Sequence, residues 1–373
     1  MKSSPTSGEP SARAAMTSFG IERRERILAE VRRRGAVRVA ELAVELGVSE
    51  LTVRRDIGVL ADRALVTRVH GGAVLRSELD TTVPRGAASV TPSRYRIAMV
   101  VPSLSYYWPQ VTLGARSAAA ELGVQLVLRG ASYSIEDQRR QIVSLLERTQ
   151  VHGLIVAPDT EGPEGYALLE WLGRLPLPVV LTERRVPSGL SFLELDCVRT
   201  DHSVGASLAA RHLAARGHVR VGLMTSRRSP TSRHLRQGWR ATVADLGMEN
   251  VVDLELEESV GFAEAFVGID ALLEEVRSRV CTGMLIHADP HALLVQQRAL
   301  ELGWHLPEDL AIVAYDDEVA DSGHPPITAL APPKQEVGRL AVETLVARLE
   351  QSRRPVLRVE LIPDIRLRES SLA

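Results

Sequence analysis

Thr52, Arg54 and Arg55 stand in a short run, Ser49 to Ile57, in which Val53, Ile57 and Leu60 recur at helical spacing. At about 100° per residue, Arg55 falls on the side opposite that apolar stripe, with Thr52 nearby and Arg54 on the flank. A guanidinium is a planar fork of donors that fits a guanine edge or a phosphate bidentately, so the chemistry on offer is nucleic-acid recognition. Arg68 and His70 continue the basic character beside Gly71-Gly72, where two glycines permit the positive φ of a tight hairpin. Such a hairpin could lie as a wing against a DNA backbone. Further along, charged residues close apolar runs: Asp159 follows Leu154–Ala157, and Glu183-Arg184 follows Val179–Leu181. Carboxylate and guanidinium groups there could make charge-assisted bonds to the hydroxyls of a ligand, although an exposed ion pair at a strand end would look the same.

Other chemistries find no support. The chain lacks a G-x-S-x-G elbow, an H-E-x-x-H helix and a G-x-x-x-x-G-K-[ST] loop. Its ten histidines are scattered, and Cys197 and Cys281 are too few for a disulfide scaffold or a metal knuckle, so no metal and no cofactor is expected. Net charge is −2 over 373 residues, which points to neither nucleic acid nor membrane for the whole chain. The balance is uneven, however: residues 19–77 hold twelve arginines against eight acids. No uninterrupted apolar run approaches the roughly 18 residues of a membrane span, and residues 1–18 lack an apolar signal-peptide core. No membrane association is expected, and a cytoplasmic location is.

The elements that must carry these residues divide the chain. Residues 1–18, rich in Ser, Pro, Ala and Gly, read as a disordered leader. Residues 19–76 read as a helical module, either DNA-binding or a solvated domain that docks onto a protein. Val39, Leu42, Ala43 and Leu46 form one buried helical stripe, Gly47 ends it, and Ser49 caps the next helix. Residues 77–95 read as a linker, with Thr81, Thr82, Pro84 and Gly86 against a continuous helix. From Arg96 onward short continuous apolar runs alternate with amphipathic, helix-length segments such as Ser132–Thr149 and Ser203–Arg216. That alternation means βαβ units, a parallel sheet buried on both faces, and an α/β fold class. About 275 residues are too many for one small sheet, so two lobes are expected: lobe 1 over about 96–200, lobe 2 over about 201–326, with 327–373 crossing and returning to both.

The run Ser49-Glu50-Leu51-Thr52-Val53-Arg54-Arg55-Asp56-Ile57, closing at Arg68-Val69-His70-Gly71-Gly72-Ala73, resembles the winged helix-turn-helix of the DeoR family. The resemblance implies a transcription regulator whose second helix enters the major groove, with Ser49, Thr52, Arg54, Arg55, Arg68 and His70 as DNA contacts. The remainder, Arg96 to about Arg368, does not look like the sugar-phosphate-isomerase-like domain usual after that head. It resembles the effector domain of the lactose/galactose-repressor family, built like periplasmic sugar-binding proteins. The markers are Val151 through Pro158, Leu213 through His218, Leu302 through Asp309, and Ile312 through Asp317 followed by Pro325-Pro326-Ile327-Thr328.

That second resemblance implies a small sugar-like effector, polyhydroxylated and non-phosphorylated, in a cleft between the lobes. Tyr107 and Trp108 become stacking candidates, or else seal a helix against the sheet. Asp159, Glu183, Arg184, Arg236, Asp289 and Asp316 become polar contacts, Asp316 the closest match and Asp289 alternatively a loop anchor. There are departures: Ala288 stands where an asparagine is usual, Leu235 where an arginine is, and Pro332-Pro333 in a loop that often supplies a polar or aromatic contact. Lys334 could reach an anionic ligand or sit on the surface. No counterpart of the family's minor-groove hinge helix occurs in Arg76–Arg94. A homodimer on double-stranded operator DNA is expected, because one small module buries little surface. Repression follows from the family. A ligand-independent DNA-binding dimer and a sugar-converting enzyme fused to a DNA-binding head remain open alternatives.

Overall fold

The structure is a computed structural model that describes residues 23–24, 26–28, 30–31, 36–62, 66–69, 72–75, 93–104, 106–227, 229–256 and 262–372. They form two compact units, one within 1–91 and one within 92–373. The expected leader, nearly all of the expected linker, and His70 lie outside the described residues, as does the side chain of Arg68.

In the first unit, β1 (Ala36–Arg38) leads into α1 (Val39–Leu46) and α2 (Glu50–Asp62), followed by β2 (Val66–Val69) and β3 (Gly72–Leu75). Gly47 takes the left-handed conformation at φ 65°, and its N–H and that of Val48 return to carbonyls of the last turn of α1. Ser49 Oγ accepts from Thr52 N–H at 3.2 Å and so starts α2. Val39, Leu42 and Ala43 of α1 pack with Val53, Ile57 and Leu60 of α2, and with Ile27, Leu28 and Val31. Leu46 is only half-buried. The hairpin pairs Val69 with Gly72, so Gly72 belongs to the strand rather than to the turn where the two glycines were expected together. β1, too short for any periodicity, was not foreseen; it completes the sheet in the order β1-β3-β2.

The second unit contains two six-stranded sheets. The first comprises β4 (Arg96–Val101), β5 (Gln125–Gly130), β6 (Gly153–Val156), β7 (Val179–Thr182), β8 (Asp196–Thr200) and β14 (Arg358–Leu361), all parallel. Between these strands run α3 (Trp108–Glu121), α4 (Ile135–Arg148) and α5 (Gly162–Gly173). The second comprises β9 (Arg220–Ser226), β10 (Glu249–Leu256), β11 (Gly283–His287), β12 (Ala311–Tyr315), β13 (Thr328–Ala331) and an antiparallel edge, β15 (Asp364–Arg366). Its helices are α6 (His202–Ala215), α7 (Ser232–Asp245), α8 (Phe262–Ser278) and α9 (Asp289–Glu301). The chain crosses between the sheets after β8 and after β13, where α10 (Lys334–Glu350) returns to the first, and again between β14 and β15.

Each sheet is covered on both faces because successive side chains alternate: Ile97, Met99 and Val101 join one core, Ala98 and Val100 the other. The strand order β5-β4-β6 reverses direction at β4, and β10-β9-β11 does the same at β9. Loops at the carboxyl ends beside such reversals form a crevice. No described helix is long and apolar enough to cross a membrane.

Candidate functional site

The carboxyl ends of the two parallel sheets meet along a cleft. Part of it, about 320 Å³ with its open mouth, is lined by Thr160, Glu183, Arg184 and Arg185 from the first lobe, with Thr231 and His234 from the second. At this part of the cleft two contacts bridge the lobes. Glu161 pairs with Arg233 at 2.8 Å, and Glu183 Oε2 lies 3.6 Å from His202 Nε2.

Glu183 follows β7 with φ 54°, a left-handed conformation uncomfortable for any side chain with a Cβ. Its carboxylate accepts from Thr200 N–H and Thr200 Oγ1, both at 2.9 Å, and from the Tyr107 hydroxyl at 2.5 Å. Burial alone would raise this carboxyl; His202, Tyr107 and the Thr200 N–H outweigh it and hold it down to about 2. Arg184 donates to the carbonyls of Pro158 and Glu183 at 2.9 and 2.7 Å and lies over the Trp108 ring.

Asp316 follows β12 at φ 104°. It is buried, and burial raises its carboxyl while Lys334 opposes that shift. His287 Nε2 stands 4.0 Å from its Oδ2. The Tyr106 hydroxyl faces it without completing a hydrogen bond. Tyr106 is also at positive φ, as is Asp317, so four of the five non-glycine residues with positive φ among those described lie around this cleft. Strain of this kind concentrates where surrounding structure over-determines a site. Unpartnered buried polar atoms gather there too: Tyr106 Oη, His287 Nδ1, Arg185 Nε and Thr182 Oγ1. His287 is lowered to about 3 by burial, with His291 and His202 adding to the shift, and is neutral at physiological pH.

The expected contacts divide accordingly. Tyr107, Glu183, Arg184 and Asp316 come together. Trp108 is only 3% exposed and packs into the first-sheet core, its Nε1 reaching Tyr133 at 3.4 Å, so its face is not free for stacking. Asp289 is fully buried and accepts the N–H groups of Asp317, Glu318 and Val319, anchoring the loop that shapes Asp316. Arg236 is held by Asp253 at 2.9 Å, Glu255 at 3.1 Å and Thr225 at 2.9 Å, on the β9–β10 side of α7. Leu235 beside it is core. Asp159 is half-buried and accepts from the Glu161 N–H at 3.0 Å.

Lys334 is a correction to the surface reading. It is 7% exposed, pairs with Glu318 at 2.6 Å, donates to the Asp316 carbonyl and lies 5.3 Å from the Tyr107 ring. It is tucked in because α10 and α3 touch backbone to backbone: a Cβ on Gly338 would stand 1.9 Å from Val111 O, and one on Gly114 1.8 Å from Gln335 O. Sequence reasoning missed Tyr106, Arg185, His202 and His287. Arg185 adjoins a charged pair that was noticed; the others needed knowledge of which strand ends meet.

In the first unit, Thr52 and Arg55 occupy the outer side of α2, Arg55 exposed. Arg54 is exposed and linked to Glu50 at 3.0 Å. Asp56, unassigned from sequence, is buried and receives Arg23 at 2.5 Å and Arg24 at 3.4 Å, tying α2 to the preceding helical residues. Among the described residues no group of three or more His, Cys, Asp or Glu is placed to hold a metal.

Residues 23–78 match the DeoR-like helix-turn-helix domain. Residues 95–274 match the periplasmic binding proteins and sugar binding domain of LacI family, and residues 210–371 a periplasmic binding protein-like domain. The ribose operon repressor of Escherichia coli (strain K12) is 26% identical over 73% of this chain and 81% of its own length. The HTH-type transcriptional regulator PtxS of Pseudomonas aeruginosa is 29% identical over 91% of this chain and 96% of its own. Among solved structures, the lac repressor dimer bound to operator and the anti-inducer ONPF superimposes with TM-score 0.65 at 23% identity, covering 75% of this chain and 94% of that one; the likeness is one of fold. The class is that of a DNA-binding transcription regulator. Within it, this chain joins a DeoR-like head to an effector domain of the LacI type.

Proposed function

We propose that this protein is a non-catalytic cytoplasmic repressor, acting as a homodimer, whose operator affinity is set by a small polyhydroxylated molecule bound between the lobes. The observation that carries this reading is the set of unsatisfied groups where the lobes meet. The Tyr106 hydroxyl faces the Asp316 carboxylate without a completed hydrogen bond, and His287, whose Nε2 stands 4.0 Å from that carboxylate, keeps a buried Nδ1 without a partner. An unmade hydrogen bond inside a protein costs about 1–3 kcal/mol, so a ligand hydroxyl that donates to Asp316 and accepts from Tyr106 recovers it. An aspartate can accept from two hydroxyls at once. Because a ligand shifts an equilibrium only by its differential affinity, contacts drawn from both lobes favour the closed arrangement.

The head would supply operator contacts from Ser49, Thr52, Arg54 and Arg55 on α2, with Arg68 and His70 in the wing. The test is operator release titrated with a panel of sugars and polyols. Asp316→Asn should keep fold and DNA binding while losing roughly 1–3 kcal/mol of ligand affinity, seen as a shifted release midpoint. Equal midpoints in both proteins would move the site elsewhere. A panel that binds without changing operator affinity would favour a purely dimerising role for the lobes.

A further inference from the structure

Among the described residues, Arg185 is a cation with no paired carboxylate, and it lines the cleft. It stands three residues beyond the end of β7, half-buried, and its Nε is shut off from solvent without a hydrogen-bond partner. No carboxylate of the described residues pairs with it within 4.0 Å, although its neighbours are each matched: Arg199 with Glu360, and Arg233 with Glu161 at 2.8 Å. Burial lowers its proton affinity, and Arg233 and Arg199 lower it further; Glu360 and Glu161 oppose the shift. Beside it, Arg184 donates only to carbonyl oxygens. His234 is held down to about 3 by burial and by Arg233, so it adds no charge at neutral pH. On the facing lobe, Thr231 precedes α7; Ser229 takes the N–H groups of Thr231 and Ser232, and the positive end of this 14-residue helix lies beside the same space.

We infer that the effector carries one carboxylate, that Arg185 of the first lobe binds it together with Arg184, and that the effector is therefore a polyhydroxy acid rather than a neutral sugar. The inference rests on the reading that the effector occupies the interlobe cleft, and it names the chemistry of one end. Asp316 does not line this part of the cleft, so the acid end and the hydroxyl end are kept apart. The negative charge of Asp316 then helps to set the direction in which the molecule enters. A carboxylate suits the site better than a phosphate because Glu161 and Glu183 line the same space, and their repulsion grows with the charge placed there.

The site also couples binding to closure. Arg185 belongs to the first lobe and Arg233 to the second, and Glu161, which pairs with Arg233, only partly offsets their mutual repulsion. An anion between them replaces that repulsion with attraction on both sides.

The experiment uses the full-length protein at fixed pH and ionic strength. Acetate replaces chloride as a bare carboxylate probe, followed by the thermal midpoint. A saturable rise is expected in the wild type, and Arg185→Gln should weaken it about tenfold. Arg185→Lys, which keeps the charge at the same position, should retain most of the rise and separates loss of the cation from a folding defect. Aldonic acids are then compared with the matching alditols and with sugar phosphates for operator release. The acids should act at least tenfold more tightly than the alditols, and Arg185→Gln should remove that difference. No saturable response to acetate, the same response in wild type and Arg185→Gln, or tighter action by the phosphates would overturn the inference. If alditols release operator from the wild type as tightly as the aldonic acids do, the effector reading stands and the carboxylate falls. If acetate binds through Arg185 yet no compound changes operator affinity, the anion site stands and the effector reading falls.

Discussion

Two buried aspartates near the cleft do different work because their partners differ. Asp289 accepts three backbone N–H groups from residues 317–319, yet burial and the neighbouring Asp316 push it up to about 8. An unfolded aspartate titrates near about 4, so the folded protein holds this proton over a range in which the unfolded chain has lost it. Its favourable contribution is full at low pH and disappears as pH rises toward about 8. Denaturation by urea across that range should therefore show a falling limb, and Asp289→Asn should flatten it; an unchanged slope would assign the limb to another group. Asp289→Ala should instead cost at least about 1–3 kcal/mol at any pH, since the loop N–H groups lose their acceptor. Arg55 makes the opposite case, an exposed guanidinium on α2. Arg55→Ala should leave stability within about 0.5 kcal/mol and cost about 1–3 kcal/mol of operator affinity, read by fluorescence anisotropy at stated salt. Unchanged affinity in the folded variant would remove α2 from the interface.

At the scale of elements, the cleft depends on two glycine contacts between α3 and α10. Gly114 faces the Gln335 backbone and Gly338 the Val111 backbone, with no flexible side chain between them to yield. That approach sets the N-terminal ends of both helices side by side and brings Lys334 over Tyr107. Gly338→Ala must therefore push the helices apart. Overpacking of this kind typically costs about 1–3 kcal/mol, and the loss should show in the denaturation midpoint. Ligand affinity should fall with it, because Lys334 would no longer hold the Asp316 carbonyl and Glu318. A variant as stable as wild type would mean that α10 slides without consequence.

At the scale of the whole molecule, a small head with a modest basic surplus buries little surface by itself, so a second copy is expected to share the operator. The expected outcome is a dimer in sedimentation equilibrium and a footprint covering two half-sites about one helical turn apart or a multiple of it. A monomer bound to one half-site at nanomolar concentration would contradict it. Signal transmission is expected from changed spacing of the two heads as the lobes close, since the sequence between them carries Pro84 and Gly86 rather than a continuous helical pattern.

What the amino-acid sequence determined by itself was local or periodic. The stripes of α1 and α2, the break at Gly47 and the cap at Ser49 were readable because helix stability is decided within a few residues. Central strands such as β4, β6 and β12 were readable because burial on both faces demands a continuous apolar run. Of the edge strands, β5 was readable from Val124–Leu128, but β10 and β14 were not: they carry mixed, half-buried residues that only pairing with a neighbour makes regular. The site divides in the same way. Glu183, Arg184 and Asp316 could be picked out as charges closing apolar runs. Whether each charge is satisfied by its own protein or left for a ligand was decided by the tertiary structure. That outcome turns on residues far apart in sequence, Thr200 for Glu183, the 317–319 backbone for Asp289, and the absence of any such partner among the described residues for Arg185 Nε. Hydrogen-bond satisfaction is a property of three-dimensional neighbourhoods, and no spacing along the chain encodes it.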